Sequence, residues 1–286
     1  MQLNHIVIGT DFSSQSDIAI RHAIAVARAS GATLRVAHVA ETLGEWPALH
    51  AAEERWSGYR QGWLGKQVEP YMAEGVAIEQ EVVDAATVAL GLESAVNTHH
   101  ADLLVMGTRG LTALQQTFLG SAAQRALRTV QTNVMIARGE APTASGYKRV
   151  LIPTDFSAPA EKALQLALAL AAPDARFDLL HCWHVPEAAL ADEQSELVID
   201  TIAASVKERG RKLLESFQQD APNATFSSVR TSPTFGIAKK LESGDYDLVV
   251  IGSYGRSKLR RWLLGSVAEN TARMAPCTVA VARADS

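Results

Sequence analysis

Short apolar runs alternate along the chain with longer segments that carry alanine and leucine at helical spacing. Ile6–Ile8 and Val150–Ile152 are brief uninterrupted runs that end in Gly9 or Pro153 and lead into Thr-Asp-Phe-Ser. Runs of this kind fit strands buried on both faces of a parallel sheet. Helical spacing follows at 16–29 and 160–172, closed by Gly31 and Pro173. Further strands are expected at 33–39 and 176–182, 77–83 and 225–229, 103–106 and 248–251, and 134–137 and 279–282. Helices are expected to end near His99 and Ser243, and to cover 121–130 and 266–274. Each half also holds a longer intervening segment. Residues 41–75 carry Trp46, Trp56, Trp63 and several glycines, while 187–219 are amphipathic through Leu197, Ile202, Val206, Leu213, Leu214 and Phe217. The order β-α-β-α-β-α-β-α-β in each half predicts an α/β fold of two tandem, open, mostly parallel, doubly wound sheets.

The two halves are copies. His5-Ile-Val-Ile-Gly-Thr-Asp11-Phe-Ser matches Arg149-Val-Leu-Ile-Pro-Thr-Asp155-Phe-Ser, and Ala101-Asp102-Leu-Leu-Val-Met-Gly107 matches Tyr246-Asp247-Leu-Val-Val-Ile-Gly252. The offset drifts only from 143 residues (His38 to His181) to 145 (Gly107 to Gly252). A period of this length means two ordinary domains, whereas a solenoid repeats about every 20–50 residues. Arg138–Tyr147, rich in Gly, Pro, Ala, Ser and Thr, reads as the connection. The expected division is a first domain over 1–140, a linker over 141–147 and a second domain over 148–286.

Composition narrows the classes of function. The 286 residues are 47% hydrophobic and 20% charged with a net charge of −4, which gives no global pull toward nucleic acid or an anionic membrane. No uncharged apolar stretch approaches the roughly 18 residues of a membrane span, and no signal-peptide pattern is visible at the N-terminus. Cys182 and Cys277 lack a disulfide-framework spacing, which favours a reducing compartment. A soluble, cytoplasmic protein is expected.

The candidate chemistry lies in a glycine pattern that occurs twice. Gly107, Gly110, Gly120 and Ser121 form G-x2-G-x9-G-[ST], and Gly252, Gly255, Gly265 and Ser266 repeat it. Three glycines at fixed offsets arise by chance about once in a few thousand positions. Each pattern follows a strand, where open α/β sheets place their ligands. Glycines there permit unusual backbone angles and a close approach of amides to an anion. The final Gly-Ser pair opens a helix, whose free amides and dipole favour negative charge, and the hydroxyl adds a donor or a metal contact. Tight turns and plain N-cap serines are the alternative for a single copy; two copies favour a phosphate-bearing ligand held twice.

With Thr-Asp-Phe-Ser after the first strand, this motif resembles the universal stress protein family, and Gly265-Ser-Val-Ala-Glu-Asn-Thr-Ala-Arg-Met-Ala-Pro-Cys277 is especially similar to it. The resemblance covers both halves. It implies an adenine nucleotide alpha hydrolase-like fold, a role in stress response, and ATP as ligand, with or without Mg2+. It also implies phosphate contacts from Gly107, Gly110, Gly120 and Ser121 in one half and from Gly252, Gly255, Gly265 and Ser266 in the other. Asp11 and Asp155 would contact the adenosine part, and Val39 and Cys182 would offer backbone to the adenine. As in family dimers, the halves would pack through their final strands, making the chain a built-in dimer. Further homodimers and an unidentified protein partner stay open.

The halves differ within this pattern. Pro233 before the third helix has no counterpart in Asp84-Ala-Ala-Thr, and Val130-Gln-Thr-Asn133 stands where the other half has Ala-Pro-Cys. Arg109 lies just inside the first motif, whereas Arg256, Lys258, Arg260 and Arg261 crowd the second, so the second half is expected to bind a polyphosphate more tightly. Asp11 and Asp155 can equally serve as turn or cap residues, and both roles can coexist. His181-Cys182-Trp183-His184 reads as a packed strand end rather than a metal cluster. His99-His100 is expected to meet solvent and the helix dipole at a helix end, and the tryptophans at 46, 56 and 63 to pack as core or lid, with an apolar surface for a partner as the alternative.

No Walker lysine motif, nucleophile elbow, His-Glu-x-x-His or GxGxxG fingerprint occurs. Spacing alone supports only a phosphate ligand; the resemblance implies, as the leading reading, a regulatory nucleotide binder with little or no turnover. A slow Mg-dependent ATPase or nucleotide-transfer enzyme using Ser121 or Ser266, and a module for another adenylate or phosphorylated metabolite, are the alternatives.

Overall fold

The computed structural model describes residues 1–42, 47–108, 119–143, 145–185, 195–255 and 264–283, with the side chains at 47–55, 57 and 195 left aside. The first half runs β1 (His5–Thr10), α1 (Ser14–Ser30), β2 (Thr33–Glu41), α2 (Pro47–Val68), β3 (Ile78–Ala85), α3 (Val88–Thr98), β4 (Leu103–Gly107), α4 (Ser121–Thr129) and β5 (Asn133–Ala137). The second repeats it with β6 (Tyr147–Pro153), α5 (Ala158–Leu170), β7 (Ala171–Trp183), α6 (Ser195–Phe217), β8 (Ala224–Arg230), α7 (Pro233–Ser243), β9 (Leu248–Gly252), α8 (Ser266–Met274) and β10 (Thr278–Ala282). The strand β6 takes in Tyr147, so the connection from β5 spans 138–146.

The apolar runs behave as their pattern requires. Ile6 and Ile8 of β1 enter one core layer, with α1, α2, α5 and α6, while Val7 enters the other. Helices thus cover both faces of the sheet, and each core layer runs through both halves.

The two open sheets that were expected are present, and they join into one continuous ten-stranded sheet. Its order is β3-β2-β1-β4-β5-β10-β9-β6-β7-β8. Within each half every pair is parallel, and β5 meets β10 antiparallel through Val279↔Ile136, Ala280↔Met135 and Val281↔Val134. Both final strands would otherwise be edges with unpaired amides and carbonyls, and pairing them removes two edges at once. The final-strand packing foreseen from the resemblance is therefore present, as main-chain pairing.

This junction is two-fold symmetric in detail. The Arg138 amide donates to Thr278 Oγ1 at 3.1 Å, and the Arg283 amide to Asn133 Oδ1 at 3.0 Å. Each of these arginines then reaches the C-terminal carbonyls of a helix in the opposite half: Arg138 to Ala272 O at 2.6 Å on α8, and Arg283 to Leu127 O at 2.5 Å on α4. Burial lowers the Arg283 pKa, and a carbonyl at a helix C-terminus is the partner that offsets desolvation of a cation there.

One polar contact breaks the symmetry. His22 of α1 is fully buried, with Nδ1 2.7 Å from the Tyr147 hydroxyl and Nε2 3.4 Å from the Gly139 carbonyl. The equivalent positions in the repeat are Leu166 and Leu3, both buried and apolar. Burial pushes the His22 pKa down to about 4.

Candidate functional site

In the order 3-2-1-4-5 the chain reverses direction of progress between β1 and β4, and in the repeat between β6 and β9. A cleft opens at the carboxyl ends of each of these strand pairs, the place where doubly wound sheets hold ligands. The second-half cleft has a volume of about 250 Å³ and is lined by Asp155, Cys182, Gly252, Gly255, Gly265 and Ser266, among others. All six residues singled out in that half meet there. The first-half cleft, about 330 Å³, is lined by Asp11, Val39, Gly107, Gly120 and Ser121. Arg109 and Gly110 lie outside the described residues, as do Trp46 and the basic residues Arg256, Lys258, Arg260 and Arg261.

The aspartates sit on a strained turn. Phe12 and Phe156, the residues after them, have φ of 64° and 61°. For a bulky side chain this left-handed conformation costs about 1–2 kcal/mol. Aromatic packing offsets it: Phe12 lies against His38 at 4.3 Å between ring centroids and Phe156 against His181 at 4.6 Å. Both histidines are fixed in turn, with Nδ1 facing the carbonyls of Thr10 at 2.9 Å and Thr154 at 2.7 Å. The turn closes through the aspartate itself. Asp11 Oδ1 accepts from the Ser13 amide and hydroxyl at 3.1 and 2.6 Å, and Asp155 Oδ1 from those of Ser157 at 3.0 and 2.5 Å. The turn role is real, and both carboxylates still line the clefts.

The glycines divide by task. A Cβ on Gly107 would stand 2.7 Å from the Gln15 carbonyl oxygen, and one on Gly252 would stand 2.7 Å from the Pro159 carbonyl carbon. These two let α1 and α5 pack directly on the strand ends, so their requirement is helix–sheet contact. A Cβ on Gly255 would meet Asp155 Oδ2 at 2.7 Å, and one on Gly265 would stand 3.3 Å from Ser253 O and Tyr254 Cα. Unusual backbone angles are not the reason for any of the four described strand-end and helix-start positions. Gly120 and Gly265 have φ of −63° and −67°, and Gly107 and Gly252 are not among the positive-φ glycines.

Gly120 and Gly265 are themselves the N-caps of α4 and α8, so Ser121 and Ser266 are first helical residues and not the caps. The first intrahelical bonds are Gln124 N to Gly120 O and Glu269 N to Gly265 O, both 2.9 Å. That leaves the amides of 121–123 and 266–268 without an intrahelical acceptor, and all six residues line the clefts. The glycine loop is pinned to the helix start by Gly120 N to Thr108 O and Gly265 N to Ser253 O, each 2.7 Å. Such an array of amides at a helix N-terminus favours an anion.

The opposite wall is a strand edge. Pairing of β1 with β2 ends at Thr10↔His38, whereas β2 stays paired with β3 as far as Glu41↔Ala85. In the repeat, β6 with β7 ends at Pro153↔Leu180 while β7 with β8 continues to Trp183↔Arg230. The backbone of Val39 and of Cys182 therefore runs past its inner neighbour and lines the cleft with one edge uncovered. Their side chains turn into helix packing, since a Cβ on Gly91 would meet Val39 Cγ1, and one on Gly236 the Cys182 Sγ, at 2.5 Å. Burial pushes the Cys182 thiol up to about 11.

Sequence reasoning missed several parts of this wall. Thr108, Ser16 and Tyr254 also line the clefts. Thr108 Oγ1 donates to Gln15 Oε1 at 3.0 Å. Its counterpart Ser253 is fully buried with no hydrogen-bond partner for its hydroxyl among the described residues, because Pro159 occupies the Gln15 position. The repeat offset could have revealed both pairs.

Three other expectations concern residues outside the glycine motifs. His181 is a buried strand-end residue, while its neighbour Cys182 lines the second cleft. His99 does not simply meet solvent: its Nε2 lies 2.8 Å from Glu81 Oε2. Trp56 and Trp63 are not core, being 51% and 45% exposed. Trp63 sets its edge on Phe12 at 5.9 Å, and in the repeat the Arg209 guanidinium sits over Phe156 at 4.7 Å. Among the described residues no helix is long and apolar enough to cross a membrane.

The model of the universal stress protein family matches twice, over residues 2–138 and 146–283. A universal stress protein of Mycolicibacterium smegmatis is 28% identical over 97% of this chain and 96% of its own length. One from Methanothermobacter thermautotrophicus is 30% identical over 37% of this chain and 82% of its own. The crystal structure of a universal stress protein from Archaeoglobus fulgidus superposes with a TM-score of 0.69 at 18% identity, covering 99% of this chain and 97% of that one.

Proposed function

The chain belongs to the universal stress protein family, with the family unit present twice, and we propose that each unit binds an adenine nucleotide, with ATP as its ligand. The observation that carries this reading is the convergence of Asp155, Cys182, Gly252, Gly255, Gly265 and Ser266 on one cleft at the strand-switch point. The free amides of 266–268 would take the phosphates, the uncovered edge at Cys182 the adenine, and the Asp155 carboxylate the ribose hydroxyls. The first cleft would use the amides of 121–123, Val39 and Asp11 in the same way. A divalent ion accompanying the phosphates would find the Ser121 or Ser266 hydroxyl at the helix start.

The cleft carboxylates Asp11 and Asp155 are each tied to the serine two residues on, and the proposed role is that of a regulatory binder with little or no turnover. The protein on this reading is a cytoplasmic stress-response component whose partner contacts depend on nucleotide occupancy. Mass spectrometry of the small molecule released when the purified protein is denatured tests the ligand's identity. Recovery of an adenine nucleotide is expected; recovery of a different phosphorylated metabolite would replace ATP, and equilibrium dialysis showing no bound nucleotide would overturn the reading.

A further inference from the structure

The two arginines that cross the β5–β10 junction do more than join halves. Each grips the carbonyl end of the very helix whose other end faces a cleft. Arg283, from the second half, donates to Leu127 O of α4, while Gly120 to Ala123 at the start of α4 line the first cleft. Arg138, from the first half, donates to Ala272 O at 2.6 Å and reaches Arg273 O at 3.5 Å, while Gly265 to Ala268 at the start of α8 line the second. The helices have nine residues each, a rod of about 13 Å, so a shift at the held end is carried to the amides at the other.

The grip has a rigid base. Both arginine amides are bonded across the junction, to Thr278 Oγ1 and Asn133 Oδ1, and Thr278 Oγ1 donates back to Arg138 O at 3.1 Å. A cation at a helix C-terminus satisfies orphan carbonyls and complements the dipole whose positive end meets an anion. Arg128 of α4 and Glu269 of α8 add a 2.5 Å ion pair between the two rods; exposed pairs of this kind contribute little on their own. The arrangement occurs in both directions, which a chance contact would not do.

We propose that Arg283 and Arg138 are positioning residues that act in trans: each sets the anion-facing helix of the opposite half, so neither cleft is complete without the other half. For ligand affinity this rests on the nucleotide reading above; for helix position it does not.

Full-length chains carrying Gly265→Val or Gly120→Val isolate one cleft for ATP titration. Arg283→Gln is expected to weaken the first cleft about five- to tenfold and to leave the second unchanged. Arg138→Gln is expected to do the reverse, and Lys at either position to restore most of the loss, since an ammonium still donates to a carbonyl. A merely structural role would weaken both clefts together and would overturn the proposal, as would each arginine affecting its own half. Should Arg283→Gln misfold, the more exposed Arg138→Gln carries the same test. Hydrogen exchange without any ligand separates the two readings. Faster exchange confined to 124–129 in Arg283→Gln, and to 269–274 in Arg138→Gln, supports the clamp even if no nucleotide binds; unchanged exchange overturns it.

Discussion

Asp155 and Gly255 lie against each other at the mouth of the second cleft, so closely that a methyl group on the glycine would stand 2.7 Å from the carboxylate Oδ2. The other carboxylate oxygen is tied to the Ser157 amide and hydroxyl. The aspartate cannot yield without breaking the turn that follows β6. Gly255→Ala should therefore reduce nucleotide affinity in the second half about tenfold while leaving the first half unaffected. Titration in a Gly120→Val background reads the second cleft alone, and unchanged affinity there would detach Asp155 from the ligand.

The glycines of one motif should separate into two classes under substitution. At Gly252 the obstacle is the Pro159 backbone, which has no rotamer to change, so Gly252→Ala should destabilise the fold by about 1–3 kcal/mol. Gly107→Ala should do the same against the Gln15 backbone. Gly265 has backbone neighbours at 3.3 Å, further off than those of Gly252, and an extended conformation that any residue adopts, so Gly265→Val should abolish binding in the second cleft with a smaller loss of stability than Gly252→Ala. Denaturant unfolding beside ligand titration distinguishes the classes. A Gly265→Val protein as destabilised as Gly252→Ala would merge them.

Acid should loosen the contact between the halves at His22. Its folded pKa, about 4, lies below the ordinary value of 6.5 because the ring is buried beside Tyr147. Between those values the unfolded chain takes up a proton that the folded one refuses. Stability is thus complete above pH 6.5, falls as the pH drops toward 4, and levels off below, a loss of about 3 kcal/mol from this group. Burial also lowers the His38 pKa, adding a change of the same sign. Unfolding curves collected from pH 7 to 4 should show this slope, and His22→Gln should flatten most of it; an identical slope in the variant would assign it elsewhere.

Cys182 offers a chemical report on occupancy. With its pKa near 11, only about one thiol in a thousand is ionised at pH 8. Alkylation followed by peptide mapping should accelerate about tenfold per pH unit up to that value and should slow when ATP is added at fixed pH. Labelling insensitive to nucleotide would move the adenine away from the β7 edge.

Much of this molecule could be read before any coordinates. Strands buried on both faces announce themselves as continuous apolar runs, and the 145-residue repeat from Gly107 to Gly252 places both clefts. The glycines were found by spacing but explained too uniformly, because spacing does not say whether a neighbour is a ligand or the backbone of α5. The long helix α2 was hidden: its apolar residues follow no single stripe, and Trp56 and Trp63 lie half exposed. The joined sheet and the arginines that cross it depend on contacts some 134 to 156 residues apart, a distance over which local pattern carries no information. The role of His22 rests on Tyr147, 125 residues further along the chain.

The central claim is that two cradles of helix-start amides hold adenine nucleotides, and calorimetric titration of the intact chain with ATP measures it directly. Two equivalents per chain are predicted, one lost in Gly120→Val, the other in Gly265→Val, and both in the double variant. Absence of saturable binding at millimolar ATP by apo protein, or binding that survives the double variant, would contradict it.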